Sequence, residues 1–416
     1  DTKIEELNSF TSKYPRSPYR DDAMYELGNT YVSTNNTGQA IQSYNKLIRD
    51  VPESALVPKA MLRQGLIYYN SNDGNKALER LRKVVADYPN TPEAKQAVST
   101  ARNVYVDLGR TDEYANWVRN IDFVEVSDSD LDNATFEAAE NQYLNNNTEK
   151  AIANFEKYIQ NFPNGIHSIN ANFYLAQMYF RDGKVDKSIP NYRYVTSKPK
   201  NEFSEQALAR LSQIYLEKKN YTEALPLLVK LEKQADNEQN VVFAQQNLMK
   251  SYFETGNFNK ANEYAEKVLN NSTAETEARN DARVMVARAA IKSGNNSKAR
   301  SAYKEVQKTA TGELGAEALY YDAYFKHKDG NHEASNAAVQ ILAKDFAGYK
   351  LWGAKGLVLM AKNFYALGDA YQATYILENV TKNFQKYPDV VQEARAELSR
   401  IKTQEAKTNA SVETNN

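Results

Sequence analysis

The chain has no cysteine and only three histidines among its 416 residues. The missing thiols exclude disulfides, thiolate zinc sites and cysteine nucleophiles. Lys and Arg number 52 against 53 Asp and Glu, so the net charge is −1 and the strongly basic surface of a general nucleic-acid binder is absent. No apolar run approaches the roughly 18 residues that a membrane-spanning helix needs. The function must therefore be sought in the internal pattern of a mixed-charge chain.

Residues that could support catalysis are scattered along the sequence. His327 and His332 lie five apart across a loop, without an HExxH arrangement, and we expect them and His167 to be solvent-facing loop residues. The segment 312–315 lacks the Lys-Ser/Thr of a phosphate loop. The acidic run 128–130 lacks the central Gly and distal Glu of a calcium loop. We predict no catalytic residue, no metal and no cofactor.

One stretch, residues 21–52, recurs along the chain. It reads as two amphipathic helices packed face to face. Gly28 and Ala40 are small and let the two backbones approach closely, and Tyr44 lies on the apolar stripe of the second helix. Pro52 ends the unit, because the residue before a proline is pushed out of helical geometry.

Ten copies can be aligned on the small residue that opens each second helix, at spacings of 35 to 39 residues. These residues are Ala40, Ala77, Ala115, Ala151, Ser188, Ala224, Ala261, Ala299, Ala334 and Ala373. The third copy, around residues 102–122, is degenerate, and the acidic segment 123–130 that follows it predicts a distorted or hinged joint. A nearly constant period leaves no room for a separate globular domain and predicts a solenoid.

The pattern divides the chain into five parts. Residues 1–18 read as the second helix of a truncated repeat, 19–126 as N-terminal repeats, 127–388 as C-terminal repeats, 389–401 as a capping helix and 402–416 as a disordered tail. Because the first helix of the opening repeat is missing, we expect the chain to be a fragment of a longer repeat protein. Any signal peptide or lipid anchor would then lie upstream.

The repeated unit resembles the tetratricopeptide repeat (TPR) over residues 1 to about 401. The matching spacing is Met24-x-x-Leu27-Gly28-x-x-Tyr31, then Ala40-x-x-x-Tyr44, then Pro52. The resemblance implies an all-α superhelical solenoid of about ten helix-turn-helix repeats, with half a repeat at the N-terminus and a capping helix at the C-terminus.

The junction Tyr14-Pro15-x-Ser17-x-Tyr19 is similar to the repeats of bacterial envelope proteins. Examples are the outer-membrane-assembly lipoprotein and the Tol-Pal-associated periplasmic protein, and the junction is common in large repeat proteins of the Bacteroidota. This similarity implies a C-terminal fragment of such a protein. It also implies the periplasm or outer-membrane periphery of a Gram-negative bacterium, with membrane association through upstream residues; a cytoplasmic location is the alternative.

TPR proteins bind peptides or protein elements on a concave face lined by the first helix of each repeat. The resemblance implies that the lining residues here include Tyr25, Asn29, Tyr69, Phe136, Tyr143, Phe173, Gln177, Phe180, Phe243, Gln246, Lys250, Phe253, Arg288 and Tyr365. Aromatic residues and arginine carry much interface energy, and the alternative is that a tight superhelix buries them against the next repeat. The Lys/Asn pattern that clamps a free C-terminal carboxylate is absent.

These observations favour a non-enzymatic scaffold that binds a protein or peptide partner, acts in bacterial envelope assembly or maintenance, and does not bind nucleic acid. A module associated with peptidoglycan or another glycan through surface tyrosines is one alternative. A helical-repeat RNA binder is another, because such arrays have a similar period. The balanced charge and the Leu-Gly-x-x-Tyr core argue against RNA.

Overall fold

The computed structural model describes the backbone of residues 2–413 and the side chains of residues 2–408, and this part of the chain forms 22 α-helices and no strand. Its contacts divide it into two compact units, one ending at Lys198 and the other beginning at Pro199. The division expected between residues 126 and 127 falls inside the N-terminal unit. The boundary follows the end of a complete helical hairpin.

The N-terminal unit contains one leading helix and five hairpins. Its helices are α1 (Thr2–Lys13), α2 (Arg20–Ser33), α3 (Thr37–Asp50), α4 (Val57–Asn70), α5 (Gly74–Asp87), α6 (Pro92–Asp107), α7 (Thr111–Val118), α8 (Asp128–Leu144), α9 (Thr148–Asn161), α10 (Ser168–Arg181) and α11 (Val185–Ser197). Each even-numbered helix pairs with the next to form a hairpin, and α1 packs on α2 as the predicted half repeat.

The C-terminal unit contains five hairpins and one closing helix. Its helices are α12 (Ser204–Glu217), α13 (Tyr221–Gln234), α14 (Glu238–Glu254), α15 (Phe258–Asn270), α16 (Thr276–Lys292), α17 (Asn296–Gln307), α18 (Gly312–Lys328), α19 (His332–Asp345), α20 (Lys350–Ala366), α21 (Ala370–Asn383) and α22 (Pro388–Glu413). The predicted ten helix-turn-helix repeats, leading half repeat and closing helix are therefore all present.

Every hairpin turns through one residue in the left-handed region, directly before the N-cap of its second helix. These ten residues are Asn35, Asn72, Gly109, Asn146, Gly183, Lys219, Gly256, Gly294, Gly330 and Gly368. The next amide bonds back to the first helix, as Asn36 N does to the Tyr31 carbonyl at 2.8 Å and Asp369 N to the Phe364 carbonyl at 2.9 Å. This bond is characteristic of the Schellman motif, which gives every hairpin the same geometry of entry into its second helix.

The residue four positions after that N-cap packs between the two helices. It is a fully buried Ala or Ser in nine repeats, as the sequence predicted for eight of them. In the ninth repeat the buried residue is Ser335, whose hydroxyl donates to the Ala323 carbonyl at 2.8 Å, and not the predicted Ala334. In the third repeat the position holds Tyr114 instead of Ala115. With these two corrections, the separation between the packed residues of successive repeats narrows to 36 to 38 residues.

The segment after the third repeat, for which we predict a distorted or hinged joint, is packed against a hydrophobic core. Helix α7 is only eight residues long. Phe123 and Val126 in the following segment pack against the hydrophobic core that contains Tyr114 and Val118 of α7. The acidic run then starts α8 in a capping box. The Ser127 hydroxyl accepts from Asp130 N at 3.1 Å, and Asp130 Oδ2 accepts from Ser127 N at 2.9 Å.

Helix α22 extends well beyond the predicted capping helix, 389–401. It continues to Glu413 through a segment for which we expected disorder, and residues 414–416 lie outside the described residues. Lys402 Nζ lies 2.8 Å from Glu378 Oε1, and the Tyr365 hydroxyl donates to Glu405 at 3.2 Å. Because these contacts are polar, the sequence here shows no apolar periodicity.

Lys219→Gly is expected to stabilise the C-terminal unit by roughly 0.5–1 kcal/mol. Lys219 is the one member of the left-handed set that is neither Gly nor Asn, at φ 55°. A side chain in this region costs roughly 1–2 kcal/mol, part of which the greater freedom of glycine in the unfolded chain offsets. Urea unfolding measures the gain. The control is Lys218→Gly, one residue earlier at φ −79°, where a gain of equal size would contradict this explanation.

Candidate partner-binding face

One face of the first helices carries all fourteen predicted partner-binding residues. Counted back from the N-cap of the second helix, each lies at position 14, 11, 7 or 4. The residues are Tyr25 and Asn29 on α2, Tyr69 on α4, Phe136 and Tyr143 on α8, Phe173, Gln177 and Phe180 on α10, Phe243, Gln246, Lys250 and Phe253 on α14, Arg288 on α16 and Tyr365 on α20. The structure thus gives them a common register.

Two of the predicted aromatic anchors are core residues. Phe136 is 5% exposed, and its ring stacks on His167 with centroids 4.3 Å apart. Phe173 is 3% exposed and meets Tyr192 edge-on at 6.4 Å. Both rings therefore stabilise the helix stack, which is the alternative that we considered for aromatic residues at these positions.

Several of the other predicted residues connect helices. Asn29 Oδ1 accepts a hydrogen bond from the buried Tyr44 hydroxyl at 2.8 Å, and the Tyr69 hydroxyl donates to Asp107 on α6 at 2.6 Å. The ring of Tyr143 stacks on Tyr174 of α10 with centroids 4.9 Å apart. The contact of Asn29 joins the two helices of one hairpin, whereas those of Tyr69 and Tyr143 join neighbouring first helices, and that of Tyr365 joins α20 to α22.

Ion pairs between first helices form a ladder in the C-terminal unit. Lys250 Nζ lies 3.0 Å from Asp281 Oδ2, and Arg288 donates to Glu317 through Nε at 2.8 Å and Nη2 at 2.5 Å. In both rungs a cation at position 7 pairs with an acid at position 14 of the next repeat. Neither acid is among the predicted face residues. The predicted register includes the position of Asp281, but the alignment of the ninth repeat on Ala334 places Glu317 one residue out of register.

Glu317 is the most buried acid in this ladder, at 2% exposure. Besides its two bonds from Arg288, it accepts one from the Tyr303 hydroxyl at 2.8 Å. The hydrogen bond from Arg288 to Glu317 also raises the pKa of the guanidinium. A carboxylate can remain charged at such a site because it is paired and hydrogen-bonded.

A cavity of about 440 Å³ opens on this face between α14 and α16. The predicted residues Lys250, Phe253 and Arg288 line it. Its apolar lining includes Met249, Val284 and Met285, with Leu216 and Leu314 from neighbouring first helices. Both cations on its lining are already paired in the ladder. The lining is thus about half apolar, and its two cations are balanced by Asp281 and Glu254, which also line it.

A second cavity of about 510 Å³ lies between α12 and α14 and is more polar. Phe243 and the face residues Gln206, Ala209 and Gln213 line it. Glu205, also on its lining, accepts bonds from the amides of Asp236 and Asn237 at 3.0 and 3.1 Å. That carboxylate thus stabilises the turn that begins α14.

The two C-terminal histidines share one buried amide. Asn363 is fully buried, and its Oδ1 lies 2.7 Å from His327 Nδ1 and 3.0 Å from His332 Nδ1. Because Asn363 Nδ2 donates to Ser335 Oγ and Asn336 Oδ1, each imidazole carries its hydrogen on Nδ1. The histidines are therefore half-buried and bonded, and His167 is packed against Phe136, contrary to the expectation of free loop residues. Within the described residues, His, Asp and Glu form no group of three suited to a metal.

Acid is expected to destabilise the C-terminal unit through His327. Burial lowers the pKa of His327 below its ordinary value of 6.5, aided by the nearby His332, Lys362 and Lys328 and opposed by the Asn363 hydrogen bond. The unfolded chain then binds the proton more tightly, so stability is present above pH 6.5 and falls as the pH drops below it.

Urea midpoints at pH 7.5 and 5.5 test this expectation in the wild-type chain and in His327→Asn. Other groups also titrate in this range, so the informative quantity is the difference between the two proteins. The midpoint should fall further for the wild type, and equal losses would assign the acid sensitivity elsewhere.

Comparison with known families supports the repeat assignment. A family model described as "Tetratricopeptide repeat" matches residues 22–54 and 59–91, which correspond to the hairpins α2/α3 and α4/α5. A second, described as "Tetratricopeptide repeat-like domain", matches residues 124–246. The chain therefore contains tetratricopeptide repeats, and the predicted all-α, TPR-type repeat fold is confirmed. No curated protein matches the chain.

Solved structures with partial similarity include a tetratricopeptide repeat protein from Parabacteroides merdae. It is 14% identical with a TM-score of 0.31, and the match covers 65% of this chain and all of that one. The TPR domain of P58(IPK) is 14% identical with a TM-score of 0.29, covering 92% and 99% of the two chains. Yeast Tom70 is 13% identical with a TM-score of 0.34, covering 97% and 96%. In the described part of this chain, no helix has both the length and the apolarity to cross a membrane.

Proposed function

We propose that this chain is a non-enzymatic scaffold that binds a protein partner in the cavity between α14 and α16. The observation that carries the proposal is a cavity of about 440 Å³ on the face of the first helices, with six apolar side chains on its lining. Tetratricopeptide repeats generally mediate protein–protein interaction. The predicted residues Lys250, Phe253 and Arg288 line this cavity, whereas Phe136 and Phe173 are buried in the N-terminal unit.

The chemistry of the cavity favours an apolar segment as the ligand. Phe253, Leu216 and Leu314 are half-buried on the lining and leave apolar surface for a ligand, whereas the two methionines of the lining are buried. The cations on the lining are bound to Asp281 and Glu317, so they contribute little long-range attraction for a polyanion. A helix or extended peptide with one or two large apolar side chains fits this environment, and RNA does not.

The bacterial envelope is the location that we propose for this activity. Support comes from the junction Tyr14-Pro15-x-Ser17-x-Tyr19, which is similar to envelope repeat proteins. Fractionation of the native organism, with antibody detection of the full-length protein, tests this part independently. Recovery in the cytoplasm would contradict the location without affecting the binding proposal.

Peptide selection on the purified chain tests the binding site. A displayed library of short segments yields binders, which are then synthesised with acetylated and amidated ends and measured by fluorescence anisotropy. Leu314→Lys places a charge on the cavity lining and should weaken binding by about tenfold or more, because an apolar contact is replaced by a charge that must be desolvated.

The matched control is Leu367→Lys, the same change at a leucine that is 48% exposed in the same unit. Its binding should equal that of the wild type, and urea unfolding verifies that both variants fold. Equal affinities in all three proteins, or a selection that yields no binder, would remove this cavity from the explanation.

A further inference from the structure

The ion-pair ladder of the C-terminal unit is interrupted at one step. Lys250 pairs with Asp281, Arg288 with Glu317, and Lys362 with Glu393 of α22 at 2.6 Å. Between α18 and α20 the same two positions hold Tyr324 and Lys355 instead. This step has a tyrosine in the place of the cation and a cation in the place of the acid.

Lys355 has no carboxylate bonded to it in the described part of the chain. Its Nζ lies 4.5 Å from the centroid of the Trp352 ring, and burial lowers the pKa of the ammonium group. Glu317 and Glu393 contribute smaller shifts that raise this pKa, but each is bonded to its own cation. A partly desolvated ammonium without a hydrogen-bonded partner is costly, and an incoming carboxylate would remove that cost.

Aromatic side chains surround this ammonium group. Trp352 is 8% exposed, and its indole N–H has no hydrogen-bond acceptor among the described groups. The ring of Tyr320, which is only half-buried, lies 5.5 Å from the Trp352 ring, and Tyr324 is half-buried on the same face. The site therefore combines a cation with apolar ring surfaces, and the indole N–H beside them is itself buried.

Lys355 carries a positive charge to which no described carboxylate is bonded. Lys292 and Asp389, whose charges also act on it, are both exposed, where water screens them. Glu317 and Glu393 are bonded to Arg288 and Lys362. Lys355 is therefore the group on this face that can accept an anion.

We propose that Lys355 binds a carboxylate from an Asp or Glu side chain of the protein partner, completing the missing rung from outside. The inference rests on the proposed function, since it adds an acidic residue to the apolar segment held at the cavity. Arg288 connects the two places, because it lines the cavity and bonds Glu317, whose charge acts on Lys355. The partner's motif therefore combines an apolar anchor with an acidic side chain.

Affinity measurements on the selected peptides test the proposal. All are acetylated and amidated, so that a side chain supplies the only carboxylate. We expect the binders to share an Asp or Glu at one position. Replacing that residue by its amide should weaken binding to the wild type by about tenfold, as should Lys355→Met with the acidic peptide, because a charge-assisted bond is lost. The two changes together should cost no more than either alone.

The matched control is Lys328→Met, which removes a lysine whose Nζ lies 5.5 Å from the Tyr324 ring at the exposed end of α18. Its affinity for the acidic peptide should equal that of the wild type. Lys355→Arg, which restores the charge, should recover most of the binding. Both controls separate the charge at residue 355 from any general loss of positive charge.

The NMR signals of the two tryptophan indoles show where the acidic peptide binds. The chain has two tryptophans, Trp117 in the N-terminal unit and Trp352 beside Lys355, so nitrogen–proton NMR spectra contain two indole signals. The acidic peptide should shift the Trp352 signal and leave that of Trp117 in place, and the amide peptide should shift it far less.

The possible failures can be told apart. Binders without a shared acid, or an acidic peptide that binds Lys355→Met as tightly as the wild type, would overturn this inference and leave the proposed function standing. A selection without any binder would overturn both.

Discussion

Asn363→Ala is expected to lower the free energy of unfolding of the C-terminal unit by about 3 kcal/mol. Asn363 is fully buried, and its amide accepts from His327 and His332 and donates to Ser335 and Asn336. Alanine leaves the buried Ser335 and Asn336 oxygens without this donor and both imidazoles without their acceptor. Each unsatisfied buried polar group costs roughly 1–3 kcal/mol, with partial relief for the half-buried imidazoles.

Trp352 is a convenient probe for this measurement, because it lies on α20 together with Asn363. Urea unfolding followed by tryptophan fluorescence, in a Trp117→Phe background, reports on the C-terminal unit. The control Asn379→Ala removes an exposed amide on α21 whose described contact is with Asn383 at 2.8 Å, and should change stability by less than about 0.5 kcal/mol. Similar losses in both variants would show that the shared amide does not stabilise the unit.

Gly28→Ala is expected to destabilise the N-terminal unit by about 2 kcal/mol. A Cβ at residue 28 would lie 2.4 Å from Cε1 of Tyr44, far inside van der Waals contact. Tyr44 cannot move aside easily, since it is fully buried and its hydroxyl donates to Asn29. Overpacking of this kind costs roughly 1–3 kcal/mol, and the better helix propensity of alanine returns only part of it.

The control for this change is Gly38→Ala, on the second helix of the same hairpin. A Cβ there has no atom within 4 Å, so helix propensity alone operates and stability should rise by roughly 0.5–1 kcal/mol. Urea unfolding followed by circular dichroism compares the two. The opposite signs are the essential result, and a loss at both positions would point to a cause other than the contact with Tyr44.

The repeat number could be predicted because one packing requirement recurs in nine of the ten hairpins. Where two helices cross closely, a small residue is needed, and Ala40 or Ala77 marks that place in the sequence. The predicted position was wrong in the third repeat, where Tyr114 takes the place of the small residue, and in the ninth, where a second small residue is adjacent. Ala334 and Ser335 fit the pattern equally well by size, and only the N-cap at Asn331 decides between them. Aligning the ninth repeat on Ala334 also shifts its register by one residue, so Glu317 and Tyr320 were not recognised as residues of the candidate face.

The exposure of the candidate partner-binding face was harder to predict than its register, because exposure depends on the neighbouring repeats. Phe136 and Phe253 both lie on this face, at positions 11 and 4 before the N-cap of the second helix. Phe136 is buried because His167 and Tyr158 pack on it from the neighbouring segments, whereas Phe253 remains half-buried beside a cavity. Such contacts depend on how neighbouring repeats stack, which a single repeat does not specify. The ion pairs of the ladder were not predicted for the same reason, because each pair joins residues about 30 positions apart on neighbouring repeats.

Because the same turn joins the two helices of every hairpin, recombination between the encoding gene segments would preserve the hairpin fold. All ten place a left-handed residue five positions before the residue that packs between the helices. Unequal recombination between two gene segments that encode such hairpins would join a first helix to a foreign second helix with this turn intact. The protein could then lengthen or shorten by one hairpin without a new loop having to evolve. Divergence of the face residues, such as Lys355, would follow as a separate step.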